Sequence, residues 1–179
     1  MYAIISEIDS KAGVIVKDLR GRMREACGLM AIYELPTPPL SWMVAEAFDV
    51  PLVEALIADI AESTDEFTTY VFGFGIFSGE RPVFYLPLVK SQAMFALHSQ
   101  IWRQTLSYSH RPNQYYSPSH WLPHITLAIN DITQESLACA LESVAFEPVE
   151  MRITVDNLIV VAQDDDPSSM ALKKYHFKG

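Results

Sequence analysis

Trp121-Leu122-Pro123-His124-Ile125-Thr126-Leu127-Ala128 is the stretch on which the fold reading turns. The alternation after Pro123 predicts a strand from His124 to Ile129. Positions i and i+2 of a strand share a face, so His124 and Thr126 point together while Ile125 and Leu127 point into the packing. An imidazole beside a hydroxyl suits a phosphate ester, because the ring moves a proton and the hydroxyl donates to a non-bridging oxygen. The competing reading of the same spacing is an exposed, hydrogen-bonded histidine with no ligand.

An internal echo lies upstream. Pro38-Pro39-Leu40-Ser41-Trp42 aligns with Pro123-His124-Ile125-Thr126-Leu127, and each segment reads as a strand followed by a helix and then by long strands. That order suggests two lobes of related build facing one cleft. Around these segments the pattern predicts a strand over 2–8, a helix over 11–27 and a strand over 29–35 that ends in Pro36-Thr37-Pro38-Pro39. A strand over 40–46 follows, and Pro51 opens a helix that ends near Ser63. The aromatic run 67–77, the turn Ser78-Gly79-Glu80-Arg81 and the strand 83–89 form a predicted hairpin. A helix over 91–107, a polar and aromatic loop over 108–121 and a helix over 133–144 come next. Strands over 151–162 and 171–177, joined by the acidic turn Asp164-Asp165-Asp166-Pro167, close the chain. This is an α+β pattern with no linker long enough to separate domains, so 1–179 reads as one domain of interleaved lobes.

With 179 residues, half of them hydrophobic, the chain is long enough to bury a core without staples. Cys27 and Cys139 lack Cys-x-x-Cys spacing and a histidine at ligand distance, so two buried thiols are expected and no metal. The first residues lack a basic start and a long apolar run, and no apolar stretch reaches the ~20 residues of a membrane span. A soluble cytoplasmic protein is the expectation. The net charge of −9 argues against a duplex DNA binder, so a nucleic-acid ligand should be short or held at one phosphate.

Trp121 to Ala128 resembles the second signature of the two-histidine phosphoesterase superfamily, which includes the bacterial 2′,5′ RNA ligases and cyclic phosphodiesterases. Pro39-Leu40-Ser41-Trp42-Met43-Val44-Ala45-Glu46 resembles the first, with Ser in place of Thr. The resemblance extends to element order over nearly the whole chain, including Phe72-Gly73-Phe74-Gly75-Ile76-Phe77. It implies a bilobal fold of two antiparallel-sheet lobes, helices outside, with one H-x-[S/T] strand per lobe lining a central groove. It also implies a small nucleotide or an RNA terminus as ligand, no metal or other cofactor, a proton-transfer role for His124, and phosphate-binding roles for Thr126 and Ser41.

The pattern departs at one position. Two residues before Ser41 stands Pro39, which has no titratable group. Loss of an acid–base group worth about 10²- to 10⁴-fold implies a slow enzyme or a binding module that uses the same groove. His120, His98 and His176 are the alternatives for the missing role, each with a bland reading as a loop, packing or strand histidine. In the loop, Tyr115 and Tyr116 are candidates to stack on nucleobases and Arg111 to meet a phosphate. Trp42 and Trp121 flank the two signatures, where packing alone explains them.

Overall fold

The computed structural model describes residues 1–31, 38–146, 148–162 and 173–178. Apolar residues at alternate positions bury one face of β1 (Tyr2–Glu7) and β2 (Pro39–Phe48), which pair antiparallel from Tyr2 opposite Ala45 to Glu7 opposite Pro39. A bulge where Ile4 gives way to Ile5 puts Trp42 and Met43 both into the core, fully buried. Between them α1 (Ser10–Cys27) starts on Asp9, whose carboxylate accepts from the amides of Lys11 and Ala12 at 3.1 Å. Such a cap contributes about 1 kcal/mol.

The remaining elements are α2 (Val50–Glu62), β3 (Phe67–Phe72), β4 (Gly75–Phe77), β5 (Val83–Pro87), α3 (Gln92–Thr105), β6 (Ser109–Pro112), β7 (His124–Ile129), α4 (Gln134–Val144), β8 (Glu150–Val155), β9 (Asn157–Ala162) and β10 (Lys173–His176). They make two lobes. One is a five-stranded sheet in the order β10-β9-β1-β2-β6, packed on α2 and α3. The other combines β3-β8 with β4-β5-β7 and packs on α1, which in turn packs on α4. The chain passes between lobes repeatedly, since β1 and β2 belong to one and the helix joining them to the other. The lobes meet where β2 lies against β7.

Several expectations need correction. The run 67–77 is two strands, because Gly73 takes a φ of +105° that other residues avoid. β3 then pairs with β8, while β4 forms the hairpin with β5; the Val71–Leu88 bridge keeps β3 beside the end of β5. The stretch 151–162 is likewise two strands in different lobes, parted at Asp156. Part of the loop 108–121 is β6, an edge strand whose His110 faces Ala47. Residues 29–31 are not strand, and the rest of the strand expected over 29–35 lies outside the described residues. The same holds for the Asp164–Pro167 turn and for 171–172 at the start of the last strand.

The cysteines are not two buried thiols. Cys27 at the end of α1 and Cys139 in α4 are joined by a disulfide, with their Cα atoms 5.7 Å apart. They lie 112 residues apart in sequence, and only the packing of α1 on α4 brings them together.

Candidate active site

β7 begins at His124, and its alternation is that of a strand with one packed face: Ile125 and Leu127 are buried, while His124 and Thr126 are half-buried on the other side. The His124 Nδ1–H donates to the Leu122 carbonyl at 2.7 Å, which leaves Nε2 as the proton-accepting nitrogen of the neutral ring, with no hydrogen bond among the described residues. Burial lowers the pKa of the ring below the ordinary histidine value, with the Leu122 carbonyl pulling weakly the other way. The neutral form of the imidazole is therefore the favoured one.

Two aromatic rings wall it in. Phe77 meets the imidazole edge-on at 4.9 Å between centroids and Tyr85 at 5.2 Å, and the two rings stack on each other at 4.1 Å. Tyr85 fits because Gly75 faces it across the β4–β5 ladder: a Cβ on Gly75 would stand 2.5 Å from the phenol ring. Pro87 pairs with His124 and Tyr85 with Thr126, so all four project from one face of this sheet.

On β2, Pro39 and Ser41 are half-buried, with Leu40 and Trp42 turned into the core. The Trp121 indole N–H donates to the Ser41 carbonyl at 3.1 Å. The chain leading into His124 is thus tied to the strand that carries Ser41. Trp121 also packs on Trp42 at 5.3 Å and lies flat against His98 at 3.8 Å between centroids. Both tryptophans are buried and serve packing. The Tyr116 phenol approaches the Ser41 hydroxyl, and burial raises the phenol's pKa, a rise that this contact partly offsets.

Sequence reasoning missed Phe77, Tyr85 and Arg20 as neighbours of β7. Arg20 is buried in α1 and donates from Nη2 to the Thr126 carbonyl at 2.6 Å; its Nε and Nη1 have no hydrogen-bond partner among the described residues. Burial lowers its pKa to about 10, so it stays charged at neutral pH. The available signal was an arginine on the apolar stripe of Val16, Leu19 and Met23.

Other candidates fall elsewhere. Arg111 pairs with Glu46 at 3.2 Å, toward the far end of β2 from Ser41. Tyr115 is 81% exposed and free to stack, whereas Tyr116 is packed against the core. His120 interacts with the hydroxyls of Ser117 and Ser119 in its own turn. His98 is fully buried with Nε2 3.0 Å from the Tyr116 carbonyl, and His176 is exposed on β10. No contact joins any of these histidines to His124 among the described residues. A cavity of about 450 Å³ opens beside the start of β2, lined by Glu7, Lys17, Pro38, Asn157 and Lys174 among others. His124 is not part of its wall.

The sequence profile of the 2′-5′ RNA ligase superfamily matches residues 32–167, which span both β2 and β7. The chain belongs to this superfamily. No curated protein matches its sequence. Its fold is similar to that of TT0787 of Thermus thermophilus, at a TM-score of 0.69 and 14% identity over 99% of this chain and 98% of that one. It is also similar to E. coli LigT complexed with 3′-AMP, at 0.63 and 14% over 99% and 98%. Usb1 of Kluyveromyces marxianus follows at 0.54 and 11%, covering 98% and 97%. At such identities the likeness is one of fold: two antiparallel-sheet lobes with helices outside.

Proposed function

We propose that this superfamily member is a slow, metal-independent phosphoesterase or ligase acting on the 2′,3′-cyclic or 2′-linked phosphate of an RNA end or a small nucleotide, with the whole chain 1–179 as its working unit. The observation that carries the reading is the locked tautomer of His124, whose Nε2 is free to take a proton beside Thr126. In hydrolysis of a cyclic phosphate, Nε2 removes the proton from water as its oxygen bonds to phosphorus and the bond to the 2′- or 3′-oxygen breaks. The Thr126 and Ser41 hydroxyls donate to the non-bridging oxygens. A depressed pKa suits the base and not the acid, so the leaving oxygen needs a proton from elsewhere.

In the superfamily pattern that proton comes from the first histidine, and we assign its place, two residues before Ser41, to Pro39. Solvent then protonates the leaving group, and the rate falls by about 10²- to 10⁴-fold. This same residue favours a second reading, a catalytically inactive module that binds a nucleotide or RNA end in the groove. LigT's complex with 3′-AMP supports a small nucleotide as the ligand under either reading. Cytoplasmic residence is part of the first proposal. The Cys27–Cys139 bond weighs against it, because disulfides are rare where glutathione keeps thiols reduced.

Pro39→His tests the choice. It supplies an imidazole two residues before Ser41 and should raise turnover of a 2′,3′-cyclic nucleotide by at least about tenfold, with a chelator making no difference. A variant that folds and binds nucleotide like the wild type but turns over no faster would leave the binding module as the better reading.

A further inference from the structure

The face of the second lobe that bears His124 continues outward across two more strands. Pro87 pairs with His124, and the Val71–Leu88 bridge sets Phe72 beside Pro87. Leu86, Leu88 and Val71 are buried on the helix side, so by alternation Tyr70 and Phe72 emerge on the side of Tyr85 and His124. Phe72 thus stands two strand spacings from His124, roughly 10 Å. Tyr70 and Phe72 are 42% and 60% exposed, and they stack on each other at 6.0 Å with their planes 12° apart. Two large rings held parallel in solvent, in line with a proton-accepting histidine, are not accounted for by the core.

Charge on this face limits what it can receive. Arg152 pairs with Tyr70 across the β3–β8 ladder, is exposed, and bonds only to the Thr68 hydroxyl at 3.3 Å among the described residues. Glu150 is opposite Phe72 at the outer rim. A ligand with flat faces to lie on the rings and an anionic link to meet Arg152 fits better than an acidic peptide, which lacks the flat faces. Every nucleobase has a π-face, and aromatic platforms of this kind bind single strands with little sequence preference. A run of roughly 10 Å is spanned by about three stacked base steps.

We propose that Tyr70 and Phe72 form a stacking subsite for a single RNA strand whose terminal phosphate lies at His124, so that the preferred ligand is an oligonucleotide of about three or four residues and not a mononucleotide. The proposal rests on the groove reading above. Arg152 pairs with an internucleotide phosphate, and the bases one or more steps from the reacting end lie on the two rings. No bond is made or broken there.

Calorimetric titration of the full chain with 3′-AMP and with a single-stranded tetra-adenylate bearing a 3′-phosphate tests this. The tetranucleotide should bind about tenfold or more tightly than the mononucleotide. The double variant Tyr70→Leu, Phe72→Leu keeps apolar bulk at exposed positions and should abolish that gain while leaving 3′-AMP binding as it was. His124→Ala should weaken both ligands. If 3′-AMP binding depends on His124 but length adds nothing, or if the gain survives in the double variant, the stacking subsite is wrong and the groove stands. If His124→Ala changes neither ligand while the double variant still erases the gain, the groove reading fails and the platform remains. Binding of neither ligand overturns both. Sedimentation of the wild type as a dimer that the double variant disperses would make this face a contact between two copies and would overturn the proposal.

Discussion

His98 and His124 show how the same side chain is committed to different ends by its surroundings. His98 is fully buried, flat against Trp121, and burial lowers its pKa from 6.5 to about 4. The folded state therefore resists a proton that the unfolded state accepts readily. Between these two pKa values the unfolded chain binds more protons, so stability from this group is complete above about pH 6.5 and falls as the pH drops toward 4. The loss amounts to about 3 kcal/mol for a shift of this size. Denaturant unfolding at pH 7.5 and 4.5 should show it, and His98→Phe should flatten the difference between the two pH values by a comparable amount. An unchanged difference would mean that the ring is protonated in the fold. His124 is shifted in the same direction but half-buried, so it adds less to this window.

At the scale of elements, the β4–β5–β7 sheet shapes the site through a missing side chain. Gly75 leaves the space that the Tyr85 ring fills, and Tyr85 in turn stacks on Phe77 and meets the edge of His124. Gly75→Ala would put a methyl 2.5 Å from Cε2 and Cζ of that ring, so the ring tip must swing away. The strand itself tolerates alanine, since Gly75 has no positive φ. We expect a stability change within about 1 kcal/mol, because the tip of a half-buried ring can move. The walls of His124 should loosen, and affinity for a 3′-nucleotide should drop by severalfold. A clean readout is the imidazole resonances in an NMR titration: no change in chemical shift or apparent pKa of His124 would show that the ring wall does not set its environment.

Repeated crossings of the chain tie the two lobes to each other, and the Cys27–Cys139 bond adds a link within the second lobe. A cross-link that closes a loop of this length stabilises by about 4–5 kcal/mol in the chain-entropy description. That is a large part of the roughly 5–15 kcal/mol by which domains exceed their unfolded state. Thermal melts with and without a strong reductant should differ by many degrees, and Cys27→Ser with Cys139→Ser should match the reduced protein. A melting temperature unmoved by both treatments would mean that the fold does not depend on the bond.

Local chemistry was legible in the amino-acid order. Residues 124–129 read as the strand they form because alternation and a preceding proline are properties of neighbours in sequence, and α2 and α4 were visible for the same reason. The two strand segments that carry Ser41 and His124 could be paired by their internal echo. What stayed hidden depends on residues far apart in the chain. Splitting of the run 67–77 follows from Gly73, whose φ is set by the need for β3 to meet β8, a strand far along the chain. Spacing offered no hint of the disulfide, since 112 residues separate two cysteines that are neighbours only on packed helices. Arg20 under Thr126, Phe77 and Tyr85 around His124, and the capture of Tyr116 by Ser41 are likewise contacts between elements. Periodicity tells each residue which face it occupies; only the stacking of the faces decides what it touches, because side-chain contact falls off within a few ångströms while sequence distance carries no such limit.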